Sequence, residues 1–228
     1  RAPFSLSSAK QRLSGSRFRT LNERLYTSTS EDNFLYYRNN PSLFDAYHEG
    51  YKEQVSKWPF NPLTRVISWL EALDKSKVIG DFGCGDALIA QTFPHRIVYS
   101  FDLVARNPLV TACNMTRVPL GDNTLDICIF CLSLMGKDWP SFILEATRCL
   151  REGGTLNIVE VQSRFTDIHG FNKFMESVGY ERQPVETTEE PSYFIYFAFS
   201  LRAKKTLKDD MQCHGVSELL LPCSYKRR

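Results

Sequence analysis

The chain has 228 residues, 43% of them hydrophobic and 13% aromatic, and a net charge of +2, which is enough apolar material for one catalytic domain with an extension. No apolar run approaches the roughly 18 residues of a membrane helix and none resembles a signal peptide, so we expect no membrane partner. The chain begins at Arg1 rather than at a methionine, which indicates a domain excised from a longer protein.

The charge is unevenly placed along the chain. Residues 1–28 carry six basic residues against one acidic residue, and residues 201–228 carry seven against three, so the middle is acidic. Basic ends on an acidic middle favour a polyanionic partner that is held by the ends. A solvated helix face and a frayed tail would produce the same charges, and the sequence leaves that alternative open.

Residues 1–76 are predicted to be helical, because their apolar residues recur at a spacing near 3.6. Pro41 and Pro62 each suit the first position of a helix, and Pro59 stops the helix that Pro41 opens. This is too much structure for a linker, so we expect a lid over the following domain. The predicted helices cover 5–13, 17–26, 41–58 and a stretch from 62 onward.

From Lys77 the predicted strands and helices alternate, as in a doubly wound α/β domain. The last two strands leave no room for a helix, so residues 189–192 must join them as a hairpin and one strand is antiparallel. A seven-stranded, mostly parallel sheet with one antiparallel strand is typical of the Rossmann-like class I methyltransferases that depend on S-adenosylmethionine. The predicted strands lie near 77–82, 97–101, 109–113, 125–131, 154–161, 179–188 and 193–203, and the helices near 86–92, 138–150 and 167–178. The predicted divisions are a helical extension over 1–76, a core over 77–203, and a C-terminal loop with a basic tail over 204–228.

The first core strand runs into a glycine-rich turn. Val78 and Ile79 end a buried strand, Gly83 and Gly85 give a sharp turn, and Asp86 is predicted to cap the helix that follows. Strand, turn and helix in this order form the nucleotide-binding unit of open α/β sheets. An ordinary tight turn with a capping aspartate is the alternative.

Acidic residues near this turn predict the kind of ligand. Leu88 occupies the place of the third glycine of the dinucleotide fingerprint, which disfavours a pyrophosphate. Asp81 repels phosphate and suits a cationic amino group. Asp102 ends the second strand, where an acid holds ribose hydroxyls. A ligand with a ribose and an ammonium but no phosphate is predicted, and S-adenosylmethionine fits that description.

Further candidates follow the third and fourth strands, because open α/β sheets bind ligands at the carboxyl ends of their strands. The amide oxygen of Asn114 can accept a hydrogen bond from an adenine amino group, and Met115 can lie on the adenine ring. A turn asparagine and a core methionine are the alternatives. Cys131 is a possible nucleophile for carbon methylation of cytosine, but no base is evident beside it.

Seven cysteines, an odd number scattered through apolar runs, indicate reduced thiols. Cys128 and Cys131 have the spacing of a zinc-binding pair, but they fall inside the predicted strand 125–131. Residues three apart in a strand point to opposite faces. Since the sequence has no second pair, we expect no metal.

Several longer motifs resemble the ribosomal RNA-processing protein 8 family, also called nucleomethylin, over nearly the whole chain. The resemblance implies an S-adenosylmethionine-dependent enzyme of the nucleolus, in the nucleus, that methylates N1 of an adenine in large-subunit ribosomal RNA. For animal members it also implies a link to chromatin silencing factors at ribosomal DNA. The motifs are Ser16–Tyr26, Tyr47–Tyr51, Trp58–Pro59, Asp81–Asp86, Phe101–Leu103, Phe130–Gly136, Arg164–Phe165 and Pro222–Arg228.

The same resemblance implies which residues bind the cofactor. It brings in His48 from the helical extension, which makes that extension part of the site. The family often has an acid where this chain has Asn114, and no catalytic side chain is implied. A module that senses S-adenosylmethionine or chromatin without turnover is the alternative, because fold alone does not establish activity. The implied cofactor residues are His48, Gly83, Asp102, Asn114, Met115 and Cys131.

Overall fold

The computed structural model describes residues 6–185, 193–205, 215–223 and 225. The chain opens with four helices: α1 (Leu6–Thr27), α2 (Ser30–Asn39), α3 (Pro41–Val55) and α4 (Pro62–Glu71). Among the described residues, no helix has the length and apolar character needed to cross a membrane.

The N-terminal helices differ from prediction at three points. The segments expected at 5–13 and 17–26 form the single helix α1, because the one glycine between them costs only about 1 kcal/mol and tertiary packing of the helix offsets it. Helix α3 ends at Val55 rather than at Trp58. Helix α2 was not predicted as a separate element, although its signal is present: the Thr29 side chain accepts a hydrogen bond from the Asp32 N–H.

A seven-stranded sheet follows, in the order β3-β2-β1-β4-β5-β7-β6. Strand β7 is antiparallel to both β5 and β6, and the pairs among β1 to β5 are parallel, which confirms the predicted fold class. The strands are β1 (Ile79–Phe82), β2 (Val98–Asp102), β3 (Val110–Ala112), β4 (Leu125–Cys131), β5 (Leu150–Val161), β6 (Tyr180–Gln183) and β7 (Phe194–Leu201). The helices between them are α5 (Leu88–Thr92), α6 (Trp139–Cys149) and α7 (Ile168–Val178).

Two strand boundaries differ from the predicted ones by four residues or more. Strand β5 begins at Leu150 and includes the glycine pair at 153–154, with an irregular register where Leu125 and Ile127 of β4 pair with it. Strand β6 ends at Gln183. The predicted hairpin at 189–192 lies outside the described residues.

Both faces of the sheet are covered, and the cysteines of β4 illustrate the two sides. Cys128 is fully buried and its thiol contacts the carbonyl of Ala146 in α6. Cys131 packs on the other face, against the apolar cluster that includes Val66 and Leu70 of α4. The two sulfurs therefore point to opposite faces, as predicted, and do not form a pair.

A buried ion pair ties the lid, the sheet and the C-terminal segment together. Arg164 and Glu160 are 2% and 0% exposed, with Nη1 and Oε2 2.6 Å apart. The Arg164 guanidinium also donates to the carbonyls of Leu134 and Leu221 and lies over the ring of Tyr26 in α1. The helices thus pack directly on the sheet, and the proposed division at residue 76 stays a prediction.

Candidate active site

A cavity of about 390 Å³ opens at the carboxyl ends of β1, β2 and β4. Its floor is made by the loops that follow these strands, and its roof by helices of the N-terminal extension. All six predicted cofactor residues line this cavity, although they lie up to 83 positions apart in the sequence. They are His48, Gly83, Asp102, Asn114, Met115 and Cys131. That these residues bind a cofactor stays a prediction.

The glycine-rich turn forms the innermost wall. Gly83 and Gly85 have φ angles of 77° and 57°, which only glycine adopts without strain. The N–H groups of Gly83 and Cys84 both donate to the carbonyl of Phe101, at 2.8 and 3.0 Å. A Cβ atom on Gly83 would overlap the side chain of Ser133, so this position has no room for a side chain.

The prediction that Asp86 caps the helix after this turn is wrong. Helix α5 begins at Leu88, its N-cap residue is Ala87, and the cap makes no side-chain hydrogen bond. The Asp86 carboxylate is instead paired with Lys52 Nζ at 2.6 Å and with Arg106 Nη1 at 2.7 Å. Because the Asp86 carboxylate pairs with Lys52 and Arg106, it does not cap the helix.

These ion pairs fasten helix α3 to the turn. Lys52 belongs to α3, and Arg106 also pairs with Asp45 of α3 through Nε at 2.9 Å. One helical turn along, His48 lies against the turn so closely that a Cβ atom on Gly85 would be 3.3 Å from its Cε1. Helix α3 therefore forms one wall of the cavity.

Asp102 is held by the backbone around it. Its Oδ2 accepts a hydrogen bond from the Gly85 N–H at 2.6 Å and its Oδ1 from the Leu103 N–H at 2.7 Å. Burial raises the pKa of this carboxyl to about 6, and the two backbone hydrogen bonds limit the rise. Each oxygen keeps a second lone pair for a ligand hydroxyl.

Two further buried side chains, Asp81 and His48, have polar atoms that a ligand could pair with. Burial and the charge of Asp102 raise the pKa of Asp81 to about 7. Burial lowers the pKa of His48 to about 4, so its imidazole is neutral, and its Nε2 has no hydrogen-bond partner among the described residues. An ammonium would stabilise the ionised Asp81, and a polar ligand atom would pair with His48.

Asn114 has two hydrogen-bond partners within the protein, and its predicted contact with the adenine amino group stays a prediction, since its amide oxygen keeps a second lone pair. Its amide oxygen, predicted to accept from an adenine amino group, accepts from the Thr116 N–H at 3.0 Å. Its amide nitrogen donates to Glu31 Oε2 of helix α2, also at 3.0 Å. Met115 is 8% exposed and lines the cavity beside it. Sequence reasoning missed Glu31, because an acid in the first turn of a helix is usually a favourable end charge.

Cys131 is a poor nucleophile in this setting. Burial, with smaller contributions from the charges of Asp81 and Glu160, raises its pKa well above the usual range. Only the thiolate attacks carbon, and this group stays a thiol near neutral pH. Among the described residues, no group of three or more His, Cys, Asp or Glu side chains could hold a metal ion.

Aromatic side chains line the lid side of the cavity and continue beyond it. Tyr47 and Tyr51 line the cavity and stack at 6.3 Å. Trp58 meets the ring of Tyr51 edge-on at 6.0 Å and that of Phe194 at 5.0 Å. Tyr193 and Phe60, which sequence reasoning did not single out, are each nearly half exposed beside Phe194.

The sheet order, the glycine-rich turn and the cavity at the strand ends define a class I methyltransferase fold. A solved methyltransferase of Thermotoga maritima shares it, with a TM-score of 0.56 and 16% identity over 70% of this chain and 98% of that one. A family described as hypothetical methyltransferase matches residues 5–228. The chain belongs to this family.

Curated relatives identify it as the ribosomal RNA-processing protein 8 family. The ribosomal RNA-processing protein 8 of Drosophila melanogaster is 41% identical over 97% of this chain and 60% of that protein. A protein of Schizosaccharomyces pombe named as a 25S ribosomal RNA adenine-N1-methyltransferase is 41% identical over 96% of this chain and 71% of its own length. The chain thus spans about three fifths of the Drosophila protein that it matches.

Proposed function

We propose that this protein is an S-adenosylmethionine-dependent methyltransferase that modifies N1 of an adenine in large-subunit ribosomal RNA. The observation that carries the proposal is the group of three buried polar residues, Asp81, Asp102 and His48, that line one cavity at the strand ends. The name of the Schizosaccharomyces pombe relative supports the choice of atom and RNA.

On this proposal, each polar group takes one part of the cofactor. Asp102 accepts from the ribose hydroxyls, Asp81 faces the ammonium, and His48 pairs with a polar atom of the amino-acid end. Gly83 and Cys131 form the walls, and Asn114 with Met115 lies on the adenine side. When bound, S-adenosylmethionine supplies an electrophilic methyl group on a sulfonium.

The remaining work of the protein is positioning. Adenine N1 has a lone pair, so the cavity needs no base to ionise it, and orientation together with exclusion of water suffices. N1 lies on the Watson–Crick edge, so the base must be unpaired or flipped out. Tyr47, Tyr51 and Trp58 can stack such a base. The methylated ring is cationic, and the ionised acids of the cavity favour it.

Two features favour a ring nitrogen over other atoms of a base. The protonated thiol of Cys131 argues against carbon methylation. The segment at the end of β4, Cys131–Gly136, lacks the Asn/Asp-Pro-Pro-aromatic motif that enzymes acting on exocyclic amines of adenine often carry. We also propose that the basic chain ends hold the RNA, that the protein works in the nucleolus, and that chromatin silencing factors are further partners.

Methyl transfer from labelled S-adenosylmethionine tests the proposal. The full-length protein is offered total RNA and, separately, nucleosomes. We expect label in large-subunit ribosomal RNA, recovered after digestion as N1-methyladenosine. Cofactor binding without transfer to RNA would contradict the proposed activity and would support a cofactor-binding module on chromatin.

Cofactor affinity should depend on pH through Asp81. Its pKa is raised to about 7, so the ionised form that attracts an ammonium predominates only above that pH. We expect S-adenosylhomocysteine to bind about tenfold more weakly at pH 6 than at pH 8, because about one tenth of this carboxyl is ionised at pH 6. Calorimetric titrations at both values measure the difference.

The matched variant for this titration is Asp81→Asn, which removes the charge and keeps the shape. It should bind weakly at both pH values and keep only the shallower dependence that Asp102 contributes. A variant with the full wild-type pH dependence would show that another group titrates.

A further inference from the structure

One hydrogen bond joins the lid to the adenine side of the cavity. Asn114 Nδ2 donates to Glu31 Oε2 at 3.0 Å, while Asn114 Oδ1 accepts from the Thr116 N–H at 3.0 Å. Both ends of the amide thus have a partner within the protein, and one lone pair of Oδ1 stays available beside the Glu31 carboxylate. An amino group that arrives at this edge meets the Glu31 carboxylate as the strongest acceptor, since charged acceptors form the stronger hydrogen bonds.

The first turn of helix α2 holds Glu31 in place. The Ser30 N–H donates to Asp138 Oδ1 at 2.8 Å, and the Ser30 hydroxyl donates to the other oxygen of the same carboxylate. Asp138 directly precedes α6, so this contact fastens the start of α2 to the core. Ser30 is 5% exposed, and it lines the cavity together with Asn33 on one face of α2. Glu31 is exposed beside that face and contacts the cavity wall through its hydrogen bond to Asn114.

We propose that Glu31 selects adenine in the cofactor: its carboxylate accepts a hydrogen bond from the exocyclic amino group, and Asn114 positions it. This inference rests on the proposed function and adds a specificity-determining residue from the lid. Hypoxanthine, which has an oxygen in place of the amino group, brings a second acceptor to the carboxylate. Glu31 therefore repels hypoxanthine as well as attracting adenine.

The test compares S-adenosylhomocysteine with S-inosylhomocysteine, its hypoxanthine analogue, by calorimetry. In Glu31→Gln, S-adenosylhomocysteine should bind about tenfold more weakly, because a charged hydrogen bond becomes a neutral one. S-inosylhomocysteine should bind no worse, since the new amide can donate to its oxygen. The ratio of the two dissociation constants should thus fall by tenfold or more.

Asp32→Asn is the matched control. Asp32 is the next residue on α2, it is exposed, and the change removes the same charge, while its own partner is the Thr29 hydroxyl. It should leave both affinities as in the wild type. An equal loss of both ligands in Glu31→Gln, or no loss, would overturn the proposal and leave Glu31 as a lid contact only.

A second test exchanges the carboxylate of Glu31 and the amide of Asn114 between the two positions and measures the same two affinities. Asn114→Asp alone places two carboxylates within contact of each other and should weaken S-adenosylhomocysteine binding. The double variant Glu31→Gln/Asn114→Asp restores one carboxylate and one amide, and it should regain the preference for adenine. A double variant that discriminates no better than Glu31→Gln would also contradict the assignment. If the wild type binds neither ligand, the proposed function itself fails, and the two failures are thereby distinguished.

Discussion

Gly83→Ala should weaken binding of S-adenosylhomocysteine by about a hundredfold. A side chain at a φ of 77° is strained by roughly 1–2 kcal/mol, and relief of this strain would shift the turn that walls the cavity. The new Cβ would also overlap Ser133, and overpacking of this kind costs roughly 1–3 kcal/mol. Because Gly83 and Ser133 both line the cavity, relief of the overlap must displace one of its walls. Calorimetry on the purified variant measures the loss.

Gly153→Ala is the control for this experiment. Gly153 has a φ of 80°, and nothing lies within 4 Å of the position where its Cβ would be. It therefore carries the same backbone strain without the overlap and without any contact to the cavity. We expect Gly153→Ala to bind S-adenosylhomocysteine as the wild type does. Equal binding by both alanine variants would contradict the role assigned to the glycine-rich turn.

Asp102→Ala should also weaken the binding of S-adenosylhomocysteine by about a hundredfold or more. The variant loses two charged hydrogen bonds to ribose hydroxyls, each worth roughly 1.5–3 kcal/mol. The variant also leaves the N–H groups of Gly85 and Leu103 without their carboxylate acceptor, so its thermal unfolding must be measured in parallel.

Asp102→Asn separates the loss of contacts from a loss of fold. It keeps one oxygen for a backbone N–H and removes the charge, so its affinity should fall between the wild type and Asp102→Ala. An Asp102→Asn protein that is folded and binds as tightly as the wild type would remove Asp102 from the cofactor site.

The parts of this molecule that follow local rules could be predicted from the sequence. The alternation of strands and helices gave the sheet, and the rule that ligands bind at strand ends brought Gly83, Asp102 and Asn114 to one edge. The two-residue period of a strand placed Cys128 and Cys131 on opposite faces. Each of these inferences needs only neighbours in the chain or the topology of the fold.

At the candidate site, what the sequence did not reveal depends on contacts with distant side chains. Asp86 has the right type and position for a cap, but Lys52 and Arg106 reach it from α3 and from the loop after β2. The predicted contact of the Asn114 oxygen with adenine stays a prediction, but its nitrogen donates to Glu31, 83 residues away, a partner that the sequence did not indicate. No local pattern in one sequence reveals such pairs, because they depend on how the lid packs on the core.

The most direct test of the proposed activity is the state of adenine N1 in cellular ribosomal RNA. A methyl group at N1 blocks Watson–Crick pairing, so reverse transcriptase stalls there. Large-subunit RNA from cells that lack this protein should lose one such stall. The full-length wild type and Gly153→Ala should restore it, and Gly83→Ala should not. Restoration by a Gly83→Ala protein that has lost cofactor binding would show that another enzyme places the methyl group.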